Sequence, residues 1–212
     1  AGLSSGHGSF SFTYANCFFV CLDNYYQAEI TNGWLRQELS SAVAQQARFR
    51  IVTIHVPPYC ERWFDGNSTL RANLVPLMEQ YHVDICFSGH THEYERGTTN
   101  GIAYIVTGGS SYLDYPEVIA KDWPHMTVGG AQNLPGSKRK QKSLGVLGEP
   151  EAIVGGLVHE YCFVQVHGNS LKLECRAFNA DGSYIGVLDS FERRAYPPSS
   201  PIDVSPAKGK AD

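Results

Sequence analysis

Apolar positions along the first half of the chain fall into two alternating patterns. Continuous runs occur at Cys17-Phe18-Phe19-Val20-Cys21-Leu22, Ile51-Val52-Thr53-Ile54, Val83-Asp84-Ile85-Cys86-Phe87 and Ile102-Ala103-Tyr104-Ile105-Val106. Such runs suit strands buried on both faces of a sheet. Between the first two, Leu35, Leu39, Ala42 and Val43 recur at helical spacing, with Thr31 or Asn32 placed to cap the helix. Between the next two, Leu70, Leu74, Leu77, Met78 and Tyr81 share one face of a helix starting near Ser68, in which Pro76 marks a kink or a restart. The order strand–helix–strand–helix–strand predicts an α/β chain built on a mostly parallel sheet with helical covers.

The pattern lapses from about Asp114 to Gly156, which reads as a long loop. Alternation then takes over in Tyr161–Val166, Leu171–Ala177 and Tyr184–Phe191, adding antiparallel strands and an α+β character. The turns His167-Gly168-Asn169-Ser170 and Ala180-Asp181-Gly182-Ser183 join them. Beyond Ala195 stand four of the eleven prolines and little to bury. One domain over residues 1–194, carrying the loop 114–156, and a Pro-rich tail or linker over 195–212 follow from this. No internal repeat is visible.

Composition narrows the classes. Aromatics at 12% and a net charge of −4 exclude a disordered chain, and no apolar run approaches the ~20 residues of a membrane helix. A nucleic-acid partner is not expected without a basic surplus. The stretch Lys138-Arg139-Lys140-Gln141-Lys142 reads as a solvated loop, with a polyanion contact as the alternative. Charged residues at 18% and 21 glycines suggest a turn-rich protein, secreted or extracytoplasmic. Asn67-Ser68-Thr69 is a candidate glycosylation site in that setting. None of the six cysteines forms a Cys-x-x-Cys motif. If Val166 pairs with Leu171, Cys162 falls opposite Cys175, as a disulfide or as two buried thiols.

Candidate chemistry gathers at strand ends, where open parallel sheets bind ligands. His55 follows the second run; His90 and His92 follow the third, after Gly89. In an extended segment His90 and His92 face one way, and Gly89 would let backbone approach closely. Imidazole is the commonest metal ligand, so the three are candidate metal ligands. The plain alternative is that each is a loop histidine bonded to backbone. His7, His82, His125, His159 and His167 have no comparable context and are expected to matter only locally.

His55-Val56-Pro57-Pro58-Tyr59 and Gly89-His90-Thr91-His92-Glu93-Tyr94-Glu95-Arg96 resemble the last two motifs of the calcineurin-like metallophosphoesterases, and the Tyr-Glu-Arg extension resembles the purple acid phosphatase branch. The similarity runs from about Phe10 to Phe191. It implies the C-terminal half of a four-layer αββα sandwich with two metal ions (zinc, iron or manganese) at the sheet edge, hydrolysing phosphate esters. By motif match, His55 and His90 would hold the second metal and His92 the first. The family's earlier motifs, Asp-x-Gly or Asp-x-His, Gly-Asp and Gly-Asn-His, do not occur in these 212 residues. The resemblance therefore implies a missing N-terminal half, present as an associated fragment or another chain. Where the purple enzymes have proton-donating histidines, this sequence has Cys60-Glu61-Arg62-Trp63. Glu61 and Arg62 are the candidate acid and phosphate clamp, or simply surface-loop residues.

Tyr94, Glu95 and Arg96 are candidates to steady the metal ligands, the Glu95 carboxylate orienting an imidazole, or to fix the loop by a salt bridge. Thr107-Gly108-Gly109-Ser110 is a substrate-lining turn or a plain one. The competing reading is a non-catalytic structural or binding protein that keeps the fold with an incomplete metal site. A phosphodiesterase or nuclease is a third.

Overall fold

Each apolar run is continuous because it serves two cores. In the computed structural model, which describes residues 7–60, 67–110, 152–156, 158–178 and 181–195, seven strands form one sheet: β1 (Phe10–Tyr14), β2 (Cys17–Leu22), β3 (Phe49–Ile54), β4 (Ile85–Ser88), β5 (Tyr94–Thr99), β6 (Ile102–Thr107) and β7 (Ala152–Gly156). Their spatial order is β1-β2-β3-β4-β6-β5-β7. The runs β2, β3, β4 and β6 lie side by side and parallel, while β1, β5 and β7 pair antiparallel with their neighbours. Strands β8 (His159–His167), β9 (Ser170–Phe178) and β10 (Tyr184–Arg194) make a second, antiparallel sheet.

Five short helices, α1 (Ala28–Thr31), α2 (Trp34–Ser40), α3 (Ala42–Gln46), α4 (Ser68–Asn73) and α5 (Val75–Gln80), contribute to a core on one face of the large sheet. There Phe18, Val20, Val52 and Ile54 pack with Leu35, Leu39, Leu70, Leu74 and Met78. The alternate residues Cys17, Phe49, Ile51, Ile85 and Ile105 belong to a second core with Leu171, Leu173, Cys175 and Leu188 of the small sheet. Burying a leucine such as Leu35 or Leu39 stabilises by about 1.5–3 kcal/mol. The described residues thus supply three of the four expected layers: helices, large sheet, small sheet.

One helical expectation needs adjustment and another does not. The helix through Leu35 and Leu39 stops at Ser41, whose extended backbone and side chain, accepting from Ala44 N at 3.2 Å, start a new helix. That reset turns Ala44 inward and leaves Ala42 and Val43 exposed. The Pro76 restart is as expected: α4 ends before Leu74, and the proline stands in the first turn of α5, where its missing N–H costs nothing. Asn67 caps α4, its Oδ1 accepting from Leu70 N at 2.9 Å. Asn67→Ala is expected to lower stability by about 1 kcal/mol in urea denaturation, and Asn67→Asp by much less, since a carboxylate caps equally well.

Three strands went unread in the sequence. β1 is a half-exposed edge strand, β5 is polar, and β7 occupies the end of the expected loop 114–156, where residues 152–156 pair with β5. The rest of that loop, with Lys138–Lys142, lies outside the described residues, as does the tail after Ala195. In the small sheet Val166 pairs with Leu171 and Cys162 with Cys175, as expected. Both thiols are free in the structure, so the disulfide alternative is not realised here. Arg193 Nε reaches Asp84 Oδ1 at 2.7 Å, tying β10 to the start of β4. Among the described residues no helix is long and apolar enough to cross a membrane.

Candidate functional site

Because β2, β3, β4 and β6 are parallel, their carboxyl ends open on one rim. Leu22, Thr53, Ile54, His55, Phe87, Ser88, Gly89 and Thr107 line a cleft of about 300 Å³ there. His55 is the first residue after β3, and the Gly89 N–H, just after β4, donates to its carbonyl at 2.9 Å. The His55 and His90 rings meet edge to face, with centroids 5.2 Å apart. A β-carbon added at Gly89 would lie 3.6 Å from His55 Nδ1, an ordinary contact, so the expected need for a glycine there is not steric.

His90 has φ +70°, and Thr91 N–H donates to Gly89 O at 2.8 Å across it. That is a γ-turn of the strained, positive-φ kind. Strain of this sort costs of order 1–3 kcal/mol and persists where the surroundings hold it. The turn overrides the extended geometry from which His90 and His92 were expected to face the same way. His92 instead sits on a loop packed against the end of β6, its Cα 3.3 Å from where a Gly108 β-carbon would be. Among the described residues, no three or more His, Cys, Asp or Glu side chains converge closely enough to hold a metal ion. His55 and His90 fit a partial donor set, short of the three or four protein ligands of a complete site.

The turn after β6 is gripped from both sides. Gly108 N–H donates to Glu93 O at 3.1 Å. Gly109 N–H donates to Glu160 Oε1 at 3.0 Å, and His159 Nδ1 lies 2.8 Å from Gly109 O. Thr107 Oγ1 also donates to the Glu160 carboxylate, at 2.9 and 3.1 Å to its two oxygens. Glu160 and His159 were missed as site residues. A signal existed for Glu160: it lies two residues before Cys162, so strand alternation turns it inward, where an acid needs partners.

Tyr94 and Arg96 converge on Asp189 of β10. Tyr94 Oη donates to Asp189 Oδ2 at 2.7 Å, and Arg96 makes a forked pair, Nε to Oδ2 at 2.6 Å and Nη2 to Oδ1 at 3.0 Å. Burial, and then the Asp189 charge, hold the Tyr94 phenol well above its usual range, so it stays a donor. Arg96 also stacks over Phe191, 4.9 Å to the ring centroid. Arg96 thus forms a salt bridge, and its partner is Asp189 of the other sheet. Glu95, between Tyr94 and Arg96 in sequence, is buried as well. Glu61 and Arg62 lie outside the described residues.

Comparison with known proteins agrees with this fold. The sequence model of the calcineurin-like phosphoesterase family matches residues 3–94. The chain is 32% identical over 108 residues to a phosphoenolpyruvate phosphatase of Allium cepa, covering 49% of this chain and 21% of that protein. It is 29% identical over 143 residues to purple acid phosphatase 18 of Arabidopsis thaliana, covering 63% and 29%. Purple acid phosphatase PPD1 from yellow lupin (Lupinus luteus) superposes with a TM-score of 0.62 at 20% identity, covering 96% of this chain and 36% of that one, a likeness of fold. The chain thus spans between a fifth and a third of the length of the curated relatives named. The segment that matches the calcineurin-like phosphoesterase model, residues 3–94, carries His55, His90 and His92.

Proposed function

We propose that this chain supplies the histidine side of a metal centre that hydrolyses phosphate esters. The observation that carries the reading is the His55–His90 pair at the rim of the parallel strands, inside the family-matched segment, with His90 held in a strained turn. On this reading His55 and His90 bind the second metal and His92 the first. The remaining donors come from a segment bearing the Asp-x-Gly or Asp-x-His, Gly-Asp and Gly-Asn-His motifs, as an associated fragment or another chain. Bound zinc, iron or manganese would polarise the phosphoryl oxygens and lower the pKa of a water.

The chain's own residues do the rest. The cleft beside His55 receives the ester, and Glu61 or Arg62 protonates the leaving group or clamps phosphate. Glu95 orients an imidazole, while Tyr94 and Arg96, anchored on Asp189, keep the end of the histidine loop in place. A secreted or extracytoplasmic location, with a glycan on Asn67, belongs to the same reading. The alternative, a non-catalytic binding or structural protein, draws on the absence of those upstream motifs from these 212 residues.

Zinc titration calorimetry on the chain separates the two. His55→Ala and His90→Ala are each expected to weaken zinc binding at least ~10-fold, since even residues that only orient ligands are worth 10–100-fold. Zinc affinity unchanged by both substitutions would leave the rim without a metal role and favour the non-catalytic reading.

A further inference from the structure

We propose that Glu160 is a positioning residue of the rim: its carboxylate fixes the turn 107–109, and that turn fixes the histidine loop 91–93. This deepens the phosphoesterase reading and rests on it only for what the rim does. The mechanical linkage is independent of it.

Glu160 is 1% exposed, on the inward face of β8. A buried carboxylate persists only with donors around it, and here they come from two elements. Thr107 Oγ1 and Gly109 N–H approach from the turn, and Cys175 Sγ approaches from β9 at 3.8 Å. The neighbouring His159 takes the other end of the same peptide. A carbonyl can only accept, so its Nδ1 carries the proton toward Gly109 O. Gly109 is therefore held by both its N–H and its C=O. It must be glycine, because a β-carbon there would stand 2.2 Å from Val158 O.

One residue earlier, Gly108 meets the histidine loop backbone to backbone. Its N–H bonds Glu93 O, and its α-carbon faces Thr91 O so closely that a β-carbon would lie 1.9 Å away. Thr91 and Glu93 flank His92, and Thr107 lines the cleft. A shift of the turn therefore moves the loop, and nothing flexible lies between them to absorb it.

Burial raises the Glu160 carboxyl from 4.5 to about 7, against the bonds from Gly109, Thr107 and Cys175 that favour its charge. Around it stand Cys175 of β9 and Cys162 of β8, both with pKa values raised by burial, then Asp189 of β10, Tyr94 of β5 and His159 at the turn. Neither thiol ionises near neutrality. The Gly109 amide thus reports the Glu160 charge directly.

The test is a set of amide spectra of the chain between pH 5 and 8, beside Glu160→Gln and Glu160→Ala. In the wild type, the Gly109 signal is expected to move with a midpoint near 7, and Gly108, Thr91 and His92 to share a component of that midpoint. Glu160→Gln should abolish the component at all four amides and hold zinc affinity within about 2-fold. Glu160→Ala should shift the Thr91 and His92 signals and weaken zinc binding about 10-fold. Should Glu160→Ala not fold, the wild type and Glu160→Gln spectra decide alone. If Thr91 and His92 ignore the Gly109 midpoint, or keep that component in Glu160→Gln, the proposal is overturned. Failure of the wild type to bind zinc would count against the phosphoesterase reading and leave the amide result to decide the linkage.

Discussion

Gly108→Ala is expected to lower stability by about 3 kcal/mol or more, at the top of the range for overpacking in a filled interior. The added β-carbon would lie 1.9 Å from Thr91 O, 3.0 Å from Thr91 C and 3.3 Å from His92 Cα. All three atoms are backbone, so no side chain can swing aside. The loop 91–93 must retreat, and the Gly108–Glu93 hydrogen bond goes with it. Gly89→Ala is the control, because its β-carbon makes only ordinary contacts with the His55 ring, the nearer at 3.6 Å. It should change stability by no more than ~0.5 kcal/mol. Urea denaturation of both variants measures the difference. A Gly108→Ala midpoint within error of wild type would mean that the turn and the histidine loop do not touch as described. The same variant should also weaken zinc binding, since the displaced loop carries His92.

The contrast between those two glycines marks where the sequence was legible. Gly89 drew attention because it precedes His90, yet space does not require it. Gly108 looked like part of an ordinary Gly pair, and it is the one wedged against another backbone. A glycine's role depends on what the fold brings opposite, and that is long-range information. The central strands were readable because both their faces are apolar, which needs no knowledge of partners. β5 was not, since its buried positions include Tyr94 and Glu95, which are tolerated inside only by polar contacts made elsewhere. The β8–β9 hairpin was readable down to its register because the two-residue turn at Gly168-Asn169 fixes the pairing. Of the three candidate ligands, His55 and His90 come together at the rim. The backbone step from His90 to His92 is not the extended one on which the spacing argument stood, because a γ-turn sits at His90.

Asp189→Ala is expected to be at least as damaging as Gly108→Ala, about 3–5 kcal/mol, the range for breaking a buried ion pair by removing one partner. Asp189 is 2% exposed and accepts three hydrogen bonds, from Tyr94 and from both arms of the Arg96 fork. Its removal would leave a guanidinium, fixed in charge at any pH the protein survives, in the layer between the sheets. Tyr94, 0% exposed, would lose the acceptor for its hydroxyl at the same time. For a chain of this size that loss corresponds to a Tm lower by roughly 6–20 °C. The sign of a second substitution identifies the cause. If the uncompensated charge dominates, Asp189→Ala combined with Arg96→Met should be more stable than Asp189→Ala alone, because an apolar stem fits the layer without a counter-ion. If packing dominates, the double variant should be the worse of the two, and the electrostatic account fails. The Lys172–Glu174–Arg176 ladder on the solvent face of the same sheet is the internal comparison. Its pairs are screened by water, so Glu174→Ala should shift the melting curve far less than Asp189→Ala.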